Sequence, residues 1–151
     1  MTEMDVPVCW LYPEETTDLQ MPCYQSSAAA GMDVQAAVKT EICLGPGEIS
    51  LVPTGFAVAI PSGFELQVRP RSGLACKYGI TIVNSPGTID SDYRGEVKIA
   101  LINLGRNPYT VRRGDRIAQL ILAPVLRACM RPVSALDATV RAAGGFGHTG
   151  V

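Results

Sequence analysis

The chain is short of the residues that build metal centres. Its 151 residues contain one histidine, His148, and the five cysteines (Cys9, Cys23, Cys43, Cys76 and Cys129) include no Cys-x-x-Cys pair. A zinc site is therefore not expected. An odd number of scattered thiols also argues against a disulfide framework, and reads as reduced cysteines, packed as small hydrophobes, in a cytoplasmic protein. No apolar run approaches the ~20 residues of a membrane-spanning helix. The first five residues carry acids and no basic segment, so no signal peptide is expected. Charged residues are only 18% of the chain and the net charge is −1, which argues against nucleic acid or a membrane surface as partner. Lysine occurs only at Lys39, Lys77 and Lys98; the other cations are arginines, whose forked guanidinium suits phosphate oxygens.

Apolar residues make up 47% of the chain, enough for one domain with a real core. They come in short runs separated by turn residues. The order predicts an edge strand in 6–12, a turn-rich connection over 13–25, and a loop leading into a strand by Val38. Gly45-Pro46-Gly47 makes a strong turn. Two strands follow in 48–60, broken at Pro53-Thr54-Gly55, and another over 64–69, where Phe64, Leu66 and Val68 alternate. Ser72 reads as the N-cap of a single short helix closed by Gly79. Strands return at 80–83, 109–111, 116–124 and 125–133. Many short strands with frequent turns predict an all-β sandwich or barrel. From Ser134 the pattern collapses into a glycine-rich tail, so residues 1–133 are expected to form the barrel and 134–151 a flexible arm, with Phe146 as a lid over a ligand.

Residues 84–103, NSPGTIDSDYRGEVKIALIN, hold the most chemistry. Turn clusters flank a short extended piece, and Val97, Ile99 and Leu101 then recur with period two, which predicts a β-hairpin. Asp90 sits near its rim with Tyr93 close by. A hairpin edge offers backbone donors and acceptors in fixed directions, a slot able to read the edge of a planar base; a surface hairpin with a solvated Asp fits the same residues. Arg71 and Ser72 at a helix start suit an anion or an ordinary cap. Gln119, polar within an apolar strand, needs a partner, either a phosphate oxygen or a backbone group. Asp33 suits a hydrated cation or a turn cap. Asp115 is expected to be structural, holding a turn or pairing with an arginine. Asp90 has no histidine beside it for a triad, but one carboxylate can orient and deprotonate a water.

Five segments in order carry a resemblance: AAAGMDVQA around Asp33, RPRSGLACKYGI, NSPGTIDSDYRGE, RRGDRIAQLIL and RAAGGFGHTG, together covering about 28–150. Each is common alone; five in order at compatible spacing are specific. The chain resembles the homotrimeric dUTPases. The resemblance implies a jelly-roll-like β-barrel with one short helix and a C-terminal arm. It implies hydrolysis of dUTP to dUMP and pyrophosphate, which lowers dUTP and supplies dUMP for dTTP synthesis. It also implies a homotrimer whose three sites are each assembled from all three chains, the arm of one chain closing over a site formed by the other two.

The residue roles that the resemblance implies are these. Asp90 binds the 3′-hydroxyl and activates the water that attacks the α-phosphorus. Tyr93 packs on the sugar and leaves no room for a 2′-hydroxyl. Asn84 and the backbone around Gly87, Thr88, Ile89 and Lys98 read uracil. Ser72, with Arg71 and the Gly73 amide, holds the phosphates and helps the leaving pyrophosphate. Gln119 binds the α-phosphate, and Asp33 touches the water shell of a Mg²⁺ held mainly by the three phosphates. From the arm, Phe146 covers the base, with Gly147 beside it, while Arg141, His148 and Thr149 clamp the γ-phosphate. Departures from the family pattern are apolar at Met32 and Val34; Ala142-Ala143 bears on arm dynamics. A dCTP deaminase on the same fold, or a non-catalytic trimeric nucleotide-binding regulator, remain alternatives at this point.

Overall fold

The structure is a computed structural model that describes residues 3–145. The elements in order are β1 (Val8–Trp10), a 3₁₀ turn (Pro13–Glu15), β2 (Cys23–Tyr24), β3 (Met32–Gln35), β4 (Ile42–Leu44), β5 (Ile49–Pro53), β6 (Phe56–Val58) and β7 (Phe64–Arg69). Then come α1 (Ser72–Tyr78), β8 (Ile80–Ile82), β9 (Gly87–Ile89), β10 (Lys98–Asn103), β11 (Tyr109–Val111) and β12 (Arg116–Pro124). The all-β, jelly-roll-like architecture with one short α-helix is as expected. The largest sheet runs β2-β3-β12-β7-β9, facing a β5-β10-β8 sheet, with the pairs β1-β6 and β4-β11 closing the sides. No helix among the described residues is long and apolar enough to cross a membrane.

The strands form where they were expected because alternate side chains have a core to enter. Val97, Ile99 and Leu101 are fully buried, as are Leu66 and Leu120 from the opposite sheet. Phe56 sits at one end of this core, edge-on to Trp10 with ring centroids 6.2 Å apart. Burial of this kind contributes about 25 cal/mol for each Å² of apolar surface withdrawn from water. Gly55, at φ +78°, takes the left-handed conformation that turns β5 into β6, and a side chain there would strike Thr16.

Four expectations need correction. The predicted hairpin over 84–103 is absent: β9 pairs with β7, while β10 lies between β5 and β8. Each strand finds a partner in its own sheet, and Ile89 and Ile99 bury into the core from opposite sides. The segment 90–97 is thus a crossing between sheets. Second, 125–133 forms no strand, and Leu126 is 99% exposed; beyond Pro124 the chain has left the edge it could pair with. Third, Ser72 is not the N-cap but the first helical residue; Arg71 holds the cap position in extended conformation, with no side-chain cap bond. Gly79 does close the helix, at φ +72°. Fourth, all five thiols are exposed rather than packed in the core. Two short strands, β2 and β4, and the 3₁₀ turn were not foreseen; strands of two and three residues leave too few alternations to read.

Candidate active site

The crossing between sheets makes a cleft of about 210 Å³. One wall is the end of β9, with Thr88, Ile89 and Asp90; the other is Tyr93 together with Glu96, Val97 and Lys98. Ile89 and Val97 are buried, while Asp90 is exposed at the rim. The chain turns at once after Asp90, whose carbonyl accepts the Tyr93 N–H at 3.1 Å. Tyr93 then folds back: its hydroxyl donates to the Glu96 carbonyl at 2.9 Å. Its ring lies over Gly95, where any Cβ would overlap it. Glycine at 95 is therefore what lets the phenol lie flat over the crossing.

The crossing is fastened to the β5–β6 turn. Val97 N–H donates to the Phe56 carbonyl at 2.9 Å, the buried Thr54 hydroxyl donates to the Val97 carbonyl, and Gly55 N–H donates to Glu96 Oε1 at 2.9 Å. The Lys98 ammonium lies 3.5 Å from Glu96 Oε2. Asn84 is not part of the cleft lining; its amide packs against Gly87, which is wedged between it and Val68.

A second group forms where β3, β12 and the start of α1 meet. Asp33 and Gln119 are cross-strand partners. Asp33, with its side chain 13% exposed, accepts from Arg71 Nε at 3.1 Å and from Arg116 Nη1 at 3.0 Å. A register shift between Arg116 and Ala118 re-aims that end of β12, and the Arg116 carbonyl takes a second bond from Arg71, at 3.0 Å. Gln119 Nε2 donates to the Pro70 carbonyl at 2.9 Å, so in the single chain its partner is the backbone. Gly31 leaves room for the Gln119 amide, since a side chain there would occupy its place. Ser72 and Gly73 are exposed at the head of α1, with open space around Gly73.

The two groups stand apart. Continuing the β7–β9 register puts Asp90 opposite Glu65, and Arg71 lies six residues further along the chain, ~20 Å at the rise of an extended strand. The cleft lining includes none of Arg71, Ser72 or Gln119. Arg141 bonds within its own turn, Nε to the Gly144 carbonyl at 2.9 Å. Phe146, Gly147, His148 and Thr149 lie outside the described residues. Reading the sequence missed Glu96, Gly95, Arg116 and Gly31. The aromatic-x-Gly order of Tyr93 and Gly95 was a readable signal; the partners of Asp33 and Gln119 come from distant strands and left none.

A jelly-roll-like barrel of short strands with a carboxylate-and-tyrosine cleft at a crossing between its sheets is the class that fold and site define. The dUTPase family model matches residues 17–150. The deoxyuridine 5′-triphosphate nucleotidohydrolase of Desulfotalea psychrophila is 60% identical over 149 residues, covering 99% of each chain. That of the Wolbachia of Brugia malayi is 58% identical over 135 residues, 88% of this chain and 86% of its own. Among solved structures, the dUTPase of Staphylococcus bacteriophage 80alpha with dUPNHPP superposes with a TM-score of 0.84 at 25% identity, covering 97% of this chain and 99% of that one. A dUTPase from phage phi11 of S. aureus, described with a structural Mg(II) ion, gives 0.76 at 23% identity over 87% of this chain and 98% of its own. The chain belongs to the dUTPase family.

Proposed function

We propose that this chain hydrolyses dUTP to dUMP and pyrophosphate, with Asp90 as the base that activates the attacking water. The observation that carries the reading is the cleft itself, in which Asp90 and Tyr93 share one turn beside backbone able to meet a planar base. Asp90 aligns a water and accepts its proton; the ring of Tyr93, held by the Glu96 carbonyl, walls the sugar side. Arg71, Ser72, the Gly73 amide and Gln119 bind phosphate oxygens and stabilise charge as pyrophosphate leaves. The backbone of Thr88 and Ile89, with Lys98, borders the base, while Asn84 acts from behind Gly87.

A homotrimer is part of the same reading. One triphosphate cannot touch Asp90 and Ser72 of the same chain at a separation of ~20 Å along strands. The reading therefore joins the Asp90 cleft of one chain to the Arg71–Gln119 group of another, with the arm (134–151) supplied by a third. The exposure of Leu126, Met130, Val133 and Leu136 supports a partner for 125–145.

The described residues hold no cluster of three His, Cys, Asp or Glu side chains to grip a metal directly. Asp33, already bonded to two arginines, retains lone pairs for a metal-bound water, so the donor set fits an outer-sphere role toward a Mg²⁺ held by substrate phosphates. Bound there, the cation would supply charge neutralisation of the triphosphate. Five exposed, unpaired thiols support a reducing, cytoplasmic location.

The test is pyrophosphate release with Mg²⁺ from dUTP, dCTP, dTTP and UTP in parallel. Release from dUTP alone is expected. No release from dUTP, or conversion of dCTP to dUTP, would overturn the reading.

A further inference from the structure

We propose that Glu96 is a positioning residue that sets the discrimination between deoxyribose and ribose at the cleft, an assignment that rests on reading the cleft as the sugar site. Glu96 occupies the one place where the crossing, the tyrosine and the β5–β6 turn are tied together. Its carbonyl receives the Tyr93 hydroxyl at 2.9 Å. Its carboxylate, with the side chain 18% exposed, is engaged at both oxygens: Oε1 takes the Gly55 N–H at 2.9 Å and Oε2 faces the Lys98 ammonium at 3.5 Å.

A carboxylate receiving a backbone N–H makes a charge-assisted bond, stronger than a neutral one. Gly55 sits in the turn between β5 and β6, and its neighbours Thr54 and Phe56 both bond Val97, so its N–H is held against the crossing from both sides. The side chain of Glu96 therefore holds its own peptide against the body of the barrel, and that peptide sets the height and tilt of the Tyr93 ring. Rejection of a 2′-hydroxyl depends on the ring staying within a few tenths of an ångström of the sugar; an attractive contact tolerates drift better than a steric wall does. Loosening Glu96 thus costs selectivity more than it costs binding. The same carboxylate lies 3.5 Å from the Lys98 ammonium, so one side chain ties together the Tyr93 and Lys98 parts of the same wall.

The experiment compares wild type, Glu96→Ala, Glu96→Gln and Tyr93→Phe in kcat/KM for dUTP and UTP, and in calorimetric affinity for dUMP and UMP, a readout that needs no turnover. Glu96→Ala is expected to reduce the dUTP:UTP ratio about tenfold, the scale of one hydrogen bond to a charged group. Glu96→Gln keeps an acceptor for Gly55 and is expected within about threefold of wild type on the same scale. Tyr93→Phe, which deletes only the donor to the Glu96 carbonyl, is expected to shift both ratios in the direction of Glu96→Ala. An unchanged ratio in Glu96→Ala, whatever its absolute rate, overturns the proposal, as does a Gln variant no better than Ala. Should Glu96→Ala fail to fold, an unchanged ratio in Tyr93→Phe overturns it alone. A wild-type chain with no preference for the deoxy nucleotide would instead overturn the underlying reading of the cleft, and shows this without any variant.

Discussion

Asp90 is exposed at the end of a three-residue strand whose last residue, Ile89, is buried in the core. A buried anchor followed by an exposed carboxylate fixes where the acid leaves the core while keeping it hydrated, as the proposed water-activating role requires. Replacing it by asparagine keeps the size and an acceptor but removes the proton acceptor. Asp90→Asn is expected to bind a non-hydrolysable dUTP analogue with near-normal affinity while turnover falls at least ~100-fold, the lower end of general-base assistance; single-turnover rates with near-normal values would remove Asp90 from that role. The identities of Asp90 and Tyr93 as a pair were legible in the sequence because they share a turn. Glu96 was not, since its importance lies in a bond to Gly55, 41 positions away in the chain.

At the scale of elements, the legible parts were those that bury a face. β7 and β12 have the bounds that alternation and apolar content suggested. What was misread was pairing. Period-two patterning says that a strand has an inner face, not which neighbour it joins, so β9 and β10 looked like one hairpin while belonging to different sheets. Likewise the 3₁₀ turn over Pro13–Glu15 depends on a residue far along the chain. Arg113 donates to both Asp18 carboxylate oxygens at 2.7 Å and also to the Glu15 carbonyl, fastening that turn to the barrel. The hydrogen bond from Arg113 is the main cause holding the Asp18 carboxyl below its usual range. A depressed acid contributes stability above its unfolded value and loses it as pH falls through the folded one. Denaturation midpoints of wild type and Asp18→Asn should therefore differ modestly at pH 7, with the gap beginning to close only below about pH 4 and narrowing as pH falls further; a gap that does not narrow at all down to about pH 2 would show that charge is not what Arg113 holds. Asp115 fulfils its expected part, accepting the Arg112 N–H across the turn at 2.7 Å.

For the whole molecule, the chain completes a barrel, and in the proposed reading the site is completed between chains. Its two chemical groups lie at different places, and 125–145 runs on exposed beyond β12. Cutting the chain after Val140 is expected to leave the sedimentation coefficient at that of the trimer while lowering turnover more than ~10-fold, the worth of at least one charge-assisted phosphate contact. Full activity in the truncated chain would remove the arm from the site, and dissociation would make it an assembly element instead. Family and fold were readable because five short segments keep their order; the geometry joining them was not, because it is made by strands that meet only after folding. The cleft also has a property that a hairpin would not have had. Its two walls hang from separate sheets, so its gauge is the thickness of the core between them. Interiors are packed as densely as organic crystals and feel a single methylene. Ile89 and Val97, which line the slot from its two walls, therefore act as shims: a change of volume at either resets its width, so that in the proposed reading the hydrophobic interior sets the calibre of the base as much as the rim does.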